Sequence, residues 1–175
     1  MATTTHADVP LESGDRLTRT EFHRRYCARP DIKKANLVEG VVYVASPTHF
    51  VQHSRPQGIV VMWIQVYAAA TPGVEAGVDA TILLSETSEV QPDGLLFRVD
   101  PPGNARIDDE RYIFGAPELI IEVAASSASY DLHDKMDAYR RASSSTSPGR
   151  CSNNGSTGFV CATACTSHCN RTRAA

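Results

Sequence analysis

Hydrophobic residues near the start of the chain recur at spacings that predict a short helix followed by a β-hairpin. Phe22 and Tyr26 lie four residues apart, after a threonine and a glutamate at capping-box spacing, and predict a helix over 19–27. Valine-rich stretches on both sides of a Glu-Gly turn predict two strands over 35–46.

The strongest helical pattern covers residues 56–70, where apolar side chains recur at positions i, i+3, i+4 and i+7. Intervening positions are apolar as well, so we expect this helix to be buried on most of its sides. Ser54 is the predicted N-cap. The periodic positions are Ile59, Met62, Trp63 and Val66, and the intervening ones are Val60, Val61 and Ile64.

Three predicted strands and a final helix follow. Apolar runs predict strands over 80–84, 94–99 and 118–125, and helical spacing predicts a helix over 131–142. The third run is almost wholly apolar, as expected of a central strand covered on both faces. The resulting order of elements predicts an α/β or α+β domain built on a mixed sheet.

The composition of the chain changes at residue 143. Residues 143–175 contain no Asp, Glu or Lys, but they hold four of the five cysteines and many Ser and Thr residues. All 20 acidic residues and 14 of the 17 basic ones precede this point, which gives a net charge of −6 before it and +3 after it. We therefore expect a flexible N-terminus (1–15), a folded domain (16–142) and a disordered, low-complexity tail (143–175).

The cysteines of the tail allow a second interpretation. A zinc-stabilised module is one reading of Cys161, Cys165, His168 and Cys169, with Cys151 upstream. Their spacing does not match a compact pair of Cys-x2-Cys knuckles, and no apolar core surrounds them. A low-complexity or frame-shifted tail is the favoured interpretation.

Charge and hydropathy restrict the class of protein. The net charge of −3 excludes a generally basic protein that coats nucleic acid without specificity. No run of 18 apolar residues predicts a membrane-spanning helix. The N-terminus lacks the apolar segment of a signal peptide, so we expect a cytoplasmic protein without disulfides.

One carboxylate lies inside the most apolar strand. Glu122 interrupts the run 118–125, and burying a carboxylate is costly unless it is paired or binds a metal ion. Asp93 directly precedes the strand predicted over 94–99, so neighbouring strands would bring Asp93 and Glu122 together. Two carboxylates suit Mg²⁺ or Mn²⁺, which can activate water at a phosphoryl group. Lys135, on the following helix, is a candidate to neutralise charge on the phosphate.

These residues resemble the PD-(D/E)XK nuclease superfamily, with Pro92-Asp93 as "PD" and Glu122 as "(D/E)". More narrowly, residues 16–142 are similar to the Uma-type family of restriction endonucleases, which is common in bacteria. The resemblance implies a restriction-endonuclease-like mixed β-sheet flanked by helices, and a Mg²⁺- or Mn²⁺-dependent endonuclease that acts on DNA. The motifs that carry it are Leu37-Val38-Glu39-Gly40, Ala45-Ser46-Pro47, Gln91-Pro92-Asp93-Gly94, Gly115-Ala116-Pro117-Glu118-Leu119-Ile120-Ile121-Glu122-Val123 and the segment 131–142.

The resemblance implies a role for each acidic residue and for one lysine. Asp93 and Glu122 correspond to metal ligands and catalytic residues. The superfamily lysine normally lies two residues after the second acid, where this chain has Ala124. The resemblance to the family places that lysine on the next helix, which implies that Lys135 is the catalytic lysine of this chain.

Three further residues are candidates for the same site. The family pattern brings Glu39 toward it as a further catalytic residue, although a solvated hairpin turn would also explain a glutamate there. His53 is an auxiliary candidate, for which helix capping is the alternative, and Gln91 is another, with a structural role as its alternative. The basic residues considered for phosphate contact are His23, Arg24, Arg25, Arg55, Arg140 and Arg141.

The sequence leaves the family pattern after Ala142. The family continues with a Gly-Val turn and an apolar, aromatic strand that completes the sheet, whereas a Ser-rich segment follows here. A truncation or a shifted reading frame near residue 143 predicts that the last core strand is missing and that a sheet edge is exposed. The alternative function is therefore an inert nuclease-fold remnant that acts as a binding module. Superfamily members often act as dimers, which makes a homodimer a possible assembly.

Overall fold

The computed structural model describes residues 10–47, 49–124, 129–145 and 158–163; side chains are left undescribed at 124, 129–132, 144–145 and 158–163. The helices are α1 (Arg19–Cys27), a π-helix (Phe50–Ser54), α2 (Arg55–Ala70) and α3 (Ser129–Ser145). The strands are β1 (Ala35–Val38), β2 (Val41–Val44), β3 (Val74–Gly77), β4 (Ile82–Ser85), β5 (Ser88–Val90), β6 (Gly94–Arg98), β7 (Arg106–Ile107), β8 (Ile113–Phe114), β9 (Leu119–Ala124) and β10 (Gly158–Thr163). None of the helices in these ranges has the length and apolarity needed to cross a membrane.

The described strands form two sheets. One has the order β2-β1-β5-β4-β8-β7 and the other has the order β10-β9-β6-β3. The pairs β4–β8 and β9–β10 are parallel, and the remaining pairs are antiparallel. The predicted mixed α/β architecture is therefore confirmed, and the three strands predicted after the long helix correspond to β4, β6 and β9.

The first helix and the hairpin follow the sequence prediction closely. α1 spans Arg19–Cys27, and the hydroxyl of Thr18 accepts a hydrogen bond from the Glu21 amide at 3.3 Å. The β1–β2 turn places Glu39 and Gly40 at φ values of 48° and 80°, where glycine is favoured. This unit packs around a small core of Leu11, Phe22, Ala35, Leu37 and Val42.

The long helix α2 contacts the second sheet through a face other than the one predicted. Ile64 is fully buried against Leu96 of β6 and Ile121 of β9. The periodic positions are instead 49–64% exposed, so the expectation of burial on most sides is wrong. Apolar residues occur all around α2, and periodicity alone could not select the buried face. Ser54 also makes no side-chain cap bond, because the π-helix leads directly into α2.

The segment after residue 142 differs from expectation wherever it is described. α3 continues to Ser145, and β10 pairs in parallel with β9, with Val160 opposite Ile121. A strand therefore lies at the sheet edge where the sequence predicts the last strand to be missing. The pairing of β10 with β9 is made by backbone N–H and C=O groups, which every non-proline residue provides. The end of the apolar side-chain pattern at residue 142 therefore gave no indication that a strand follows. The N-terminal residues 1–9 and the remaining tail positions, among them Cys151, Cys165, His168 and Cys169, lie outside the described residues.

The register between β6 and β9 sets up the candidate site. Gly94 pairs with Ile121, so Asp93 and Glu122 occupy the next position along the two antiparallel strands. Both carboxylates are almost inaccessible to solvent, at 2% and 7% exposure. The expected convergence of the two acidic residues is therefore present in the fold.

Candidate active site

Asp93 is fixed by contacts to both of its carboxylate oxygens. Oδ2 accepts a hydrogen bond from the backbone N–H of Val123 at 2.7 Å. Oδ1 accepts a hydrogen bond from Nζ of Lys34 at 2.8 Å and lies 3.5 Å from Nε2 of His53. One oxygen is therefore held by the strand that carries Glu122, and the other faces cationic and imidazole groups.

Lys34 joins two carboxylates. Its Nζ atom lies 2.8 Å from Oδ1 of Asp93 and 2.8 Å from Oδ1 of Asp79. Burial acts to lower the pKa of Lys34, but the two carboxylates outweigh it and raise the pKa above its ordinary value. Lys34 therefore remains charged and neutralises the buried carboxylate of Asp93. Asp79 has a φ of 49°, a left-handed conformation that aspartate adopts more readily than most residues.

His53 contacts the same site from the π-helix. Its Nδ1 atom lies 2.9 Å from the carbonyl oxygen of Val123. A carbonyl oxygen only accepts, so Nδ1 carries the proton of this hydrogen bond. In the neutral ring Nε2 then has a lone pair directed toward Asp93. Oδ1 of Asp93 and Nε2 of the neutral His53 ring can together bind a proton or a cation.

Glu122 is held by two donors from α3. The hydroxyl of Tyr139 donates to Oε1 at 2.6 Å, and Nζ of Lys135 donates to the same oxygen at 3.3 Å. Burial raises the pKa of Tyr139 well above its ordinary value, and the adjacent carboxylate of Glu122 raises it further. The phenol therefore stays protonated and acts as a donor. Lys135 lies beside Glu122, where the sequence analysis expects it.

A surface cavity of about 320 Å³ lies next to Lys34 and His53, the two residues that contact Oδ1 of Asp93. Its walls combine two lysines, an imidazole, two amides and a carboxylate, so charged groups of both signs and hydrogen-bonding groups face it. The lining residues are Lys33, Lys34, His53, Gln57, Asp79 and Gln91. The buried carboxylate of Asp93 is thus separated from this cavity by Lys34 and His53, which line it.

The two remaining candidates have contacts of a different kind. The Gln91 side-chain amide donates to Oγ1 of Thr81 at 2.8 Å and accepts from Tyr26 at 3.2 Å, which ties it into the fold at the cavity wall. Glu39 is exposed in the hairpin turn, with Oε1 3.5 Å from Nε of Arg141. The side chain of Glu39 thus contacts α3, and its backbone N–H donates to Oγ of Ser88 at 3.0 Å.

Sequence reasoning missed three residues that shape the site: Lys34, Asp79 and Tyr139. Tyr139 lies four residues after Lys135, and this spacing on one helix was the signal that could have indicated a shared contact with Glu122. Lys34 and Asp79 join Asp93 from segments far apart in the sequence, and no local pattern marks them. Lys34, Asp79 and Asp93 come together only when the strands next to them pair in the folded protein.

The donor set suits a hard divalent cation that keeps several water ligands. In the part of the chain that the structure describes, no group of three or more His, Cys, Asp and Glu side chains forms a ready-made metal cluster. Asp93 and Glu122 offer carboxylate oxygens at neighbouring register positions, as Mg²⁺ and Mn²⁺ prefer. Lys34 and Lys135 contact these carboxylates and balance their charge.

Comparison with protein families assigns the chain to a class of nuclease-related proteins. Residues 19–145 match the family described as "Uma2: Putative restriction endonuclease". This match covers most of the chain, so the protein belongs to the Uma2 family, and the resemblance seen in the sequence is confirmed.

A solved structure is also similar to this chain. It is described as a putative nuclease belonging to DUF820 from Anabaena variabilis ATCC 29413, with 16% sequence identity and a TM-score of 0.47. The similar region covers 63% of this chain and 60% of that chain. A comparison with curated proteins gives no match.

Proposed function

We propose that this protein is a divalent-metal-dependent endonuclease that hydrolyses phosphodiester bonds of DNA. The observation that carries the proposal is the pair of buried carboxylates, Asp93 directly before β6 and Glu122 in β9, one position beyond the paired residues Gly94 and Ile121, each contacted by a lysine. Membership of the Uma2 family supports nuclease chemistry at this pair. The bacterial cytoplasm is the proposed location.

Asp93 and Glu122 are the proposed ligands of Mg²⁺ or Mn²⁺. The bound ion would supply an activated water molecule and neutralise charge that develops on the phosphate. Lys135 balances the charge of Glu122 and is placed to stabilise an additional negative oxygen nearby. Nε2 of His53 can accept a proton beside Asp93, since Nδ1 is occupied by the Val123 carbonyl. Gln91 supports the cavity wall, and Glu39 acts through its contact with Arg141 on α3.

The DNA backbone is the proposed ligand of the cavity. Lys33 provides an exposed positive charge at its wall, whereas the charge of Lys34 is balanced by Asp79 and Asp93, and Gln57 provides an amide donor for phosphate oxygens. Other basic residues are already paired: Arg24 and Arg25 bind Glu21 and hold its pKa down to about 2. Lys33 is therefore the proposed cationic contact of the cavity with a DNA phosphate.

Cleavage of supercoiled plasmid in Mg²⁺ or Mn²⁺ tests the proposal. The wild type is compared with Asp93→Asn and Glu122→Gln, and Glu75→Gln on the exposed position of β3 is the matched control. We expect cleavage by the wild type and the control, and a loss of at least about 100-fold in both site variants, because several kcal/mol of transition-state stabilisation disappear. Circular dichroism verifies that each variant is folded.

The alternative of an inert remnant makes a different prediction. A folded wild-type protein that cleaves no DNA with either ion, or whose activity survives both site substitutions, would overturn the nuclease proposal. DNA binding without cleavage, measured by fluorescence anisotropy, would then support a binding module that keeps only the fold.

A homodimer is the proposed assembly, and the exposed face of α2 is its proposed interface. Five large apolar side chains lie on that face with 46–64% exposure: Ile59, Met62, Trp63, Val66 and Tyr67. A standard interface buries about 800 Å² per partner, and a whole aromatic side chain accounts for about 150–250 Å². Trp63 and Tyr67 are 49% and 46% exposed, so each can add about half of that, and the five side chains together supply an apolar centre for such an interface. α2 contains no Asp, Glu or Lys, so two copies could meet there with little charge repulsion.

Light scattering coupled to size-exclusion chromatography tests this interface. We expect a dimer for the wild type, a monomer for Val66→Lys, and a dimer for the control Gln65→Lys, which alters an exposed polar position of the same helix. Trp63 is the only tryptophan in the chain, so its fluorescence should shift to shorter wavelength on association. A monomer at every concentration, or a dimer that tolerates Val66→Lys, would exclude the proposed interface.

A further inference from the structure

A second polar cluster lies between α1 and β5, built from residues that the nuclease site does not use. His23 and Cys27 lie four residues apart on α1, and Glu89 lies on β5. Glu89 is 1% exposed, whereas Cys27 is exposed and has a free thiol. The cluster therefore runs from a buried carboxylate through an imidazole to a thiol at the surface.

The three side chains are connected in sequence. Nδ1 of His23 lies 2.9 Å from Oε1 and 3.0 Å from Oε2 of Glu89. Nε2 of the same ring lies 3.5 Å from Sγ of Cys27. The hydroxyl of Tyr112 is 4.0 Å from Sγ, and its ring meets the His23 ring edge-on at 5.0 Å between centroids. Arg19 beside Glu89 and Glu110 beside Tyr112 are the other charged groups near the cluster.

Hydrogen bonding determines the role of each ring nitrogen. A carboxylate only accepts, so Glu89 fixes the proton on Nδ1 of His23. The lone pair of Nε2 is then directed at the thiol, the arrangement in which a base activates a nucleophile while a third group orients the base. Burial raises the pKa of Glu89, and the hydrogen bond from His23 partly offsets this effect.

A purely structural role accounts for only part of this cluster. A buried carboxylate needs a donor, and His23 supplies one to Glu89. That need does not explain why the opposite nitrogen of the ring faces an accessible sulfur. The additional contact between Nε2 and Sγ is the observation that points to chemistry at Cys27.

We propose that Cys27 is a base-activated thiol that undergoes exchange with low-molecular-weight disulfides and becomes reversibly capped. Nε2 of His23 takes the Sγ proton, and Sγ attacks one sulfur of the disulfide. A new S–S bond forms as the original S–S bond breaks, and the departing thiolate recovers the proton from His23. The step needs no other oxidant, because the small disulfide supplies the oxidised sulfur.

The exchange rate of Cys27 with 2-hydroxyethyl disulfide tests the proposal. Mass spectrometry of the peptide that contains Cys27 separates its modification from that of the four other cysteines. The variant His23→Gln can still donate a hydrogen bond to Glu89 but offers no base, so it separates activation from folding. Glu89→Gln tests the orienting carboxylate, and His133→Gln, at an exposed position on α3, is the matched control.

We expect the wild type and the His133→Gln control to react alike near pH 7. His23→Gln should react about three- to tenfold more slowly there, and Glu89→Gln should fall between the two. Near pH 9.5 the difference should vanish, because an unassisted thiol ionises on its own. Equal rates for the wild type and His23→Gln near pH 7, or a deficit that persists at the higher pH, would overturn the proposal.

Discussion

The two carboxylates of the candidate site are held in contrasting ways. Asp93 receives Lys34 and His53 from separate segments beside an open cavity, and we call these three residues with Asp79 the Asp93 half. Glu122 receives both of its donors from α3, and we call it with Lys135 and Tyr139 the Glu122 half.

The contacts of the Asp93 half can be exchanged for others, whereas the contacts of the Glu122 half are fixed. Lys34 is 23% exposed and borders the cavity, so an incoming cation could displace it from Asp93. Tyr139 is fully buried, and its hydroxyl stays with Glu122. In the proposed mechanism the Asp93 half would therefore admit the metal ion, and the Glu122 half would hold one carboxylate in place.

The largest effect on stability is expected from Lys34→Met. The change leaves Asp93 and Asp79 without their shared cation. Breaking a fully buried pair costs about 3–5 kcal/mol, and the partial exposure of Lys34 reduces the expected loss to roughly 2–3 kcal/mol. Urea unfolding measures the loss, and Lys33→Met is the control at the neighbouring exposed lysine.

The same variant tests whether a divalent ion can replace the lysine. Mg²⁺ should restore part of the lost stability of Lys34→Met, because binding to the folded state alone stabilises it. It should not restore Lys34→Met combined with Asp93→Asn. Equal stabilisation of both variants by Mg²⁺ would mean that the ion binds elsewhere.

Tyr139→Phe should have the next largest effect and should act on the other half. The ring still fills the core, but Glu122 loses its shortest hydrogen bond, at a cost of about 1.5–3 kcal/mol for a charged acceptor. Thermal unfolding compares this variant with Tyr67→Phe, which removes an exposed hydroxyl from α2. A loss no greater than that of the control would mean that Tyr139 does not support Glu122.

Lys135→Met should affect stability less and activity more. Tyr139 still contacts Glu122 when Lys135 is absent, and the Lys135–Glu122 distance is 3.3 Å, so about 1 kcal/mol of stability is at risk. Plasmid cleavage should fall about 100-fold, because a positive charge next to the phosphate is lost. Arg140→Met on the same helix, where the arginine pairs with Asp137, is the control. Unchanged cleavage would remove Lys135 from the proposed mechanism.

The smallest predicted effect is a loss of stability at alkaline pH that involves both halves. The folded pKa of Lys34 lies above 10.5, so its contribution is present below that pH and is lost as pH rises through the folded value. The pKa of Tyr139 lies well above 10.0, so the unfolded chain releases this proton first and stability again falls with rising pH. The free energy of unfolding, measured between about pH 9 and about pH 11, should fall less steeply with pH in Tyr139→Phe than in the wild type. An equal slope in the two proteins would contradict a raised pKa for Tyr139.

Local sequence signals were sufficient for several elements of the fold. The threonine cap predicted α1 to the residue, and the apolar runs located β4, β6 and β9. β5 was missed because its three residues, Ser88–Val90, are short and partly polar. The exposed face of α2 was assigned wrongly because every side of that helix is apolar, so burial depended on tertiary packing.

The same distinction applies to the candidate site. Glu122 was recognisable because a charge inside an apolar strand has few explanations, and Asp93 followed from its position before a second strand. Lys34 and Asp79 carry no comparable signal, because an exposed lysine or a turn aspartate looks ordinary in sequence. Their contact with Asp93 depends on the pairing of elements that are distant in the chain.

The hydrogen bond from the Val123 amide to Asp93 ties the chemistry of the site to the alignment of β6 and β9. A slip of one residue between these strands would turn Glu122 to the opposite face and leave Asp93 without that amide. Misaligned molecules would keep most of their backbone pairing and their overall size, yet they would lack the site. Under the proposed function, DNA cleavage per folded molecule would therefore report the fraction of a sample whose strands are correctly aligned, which spectroscopic measures of secondary structure cannot distinguish.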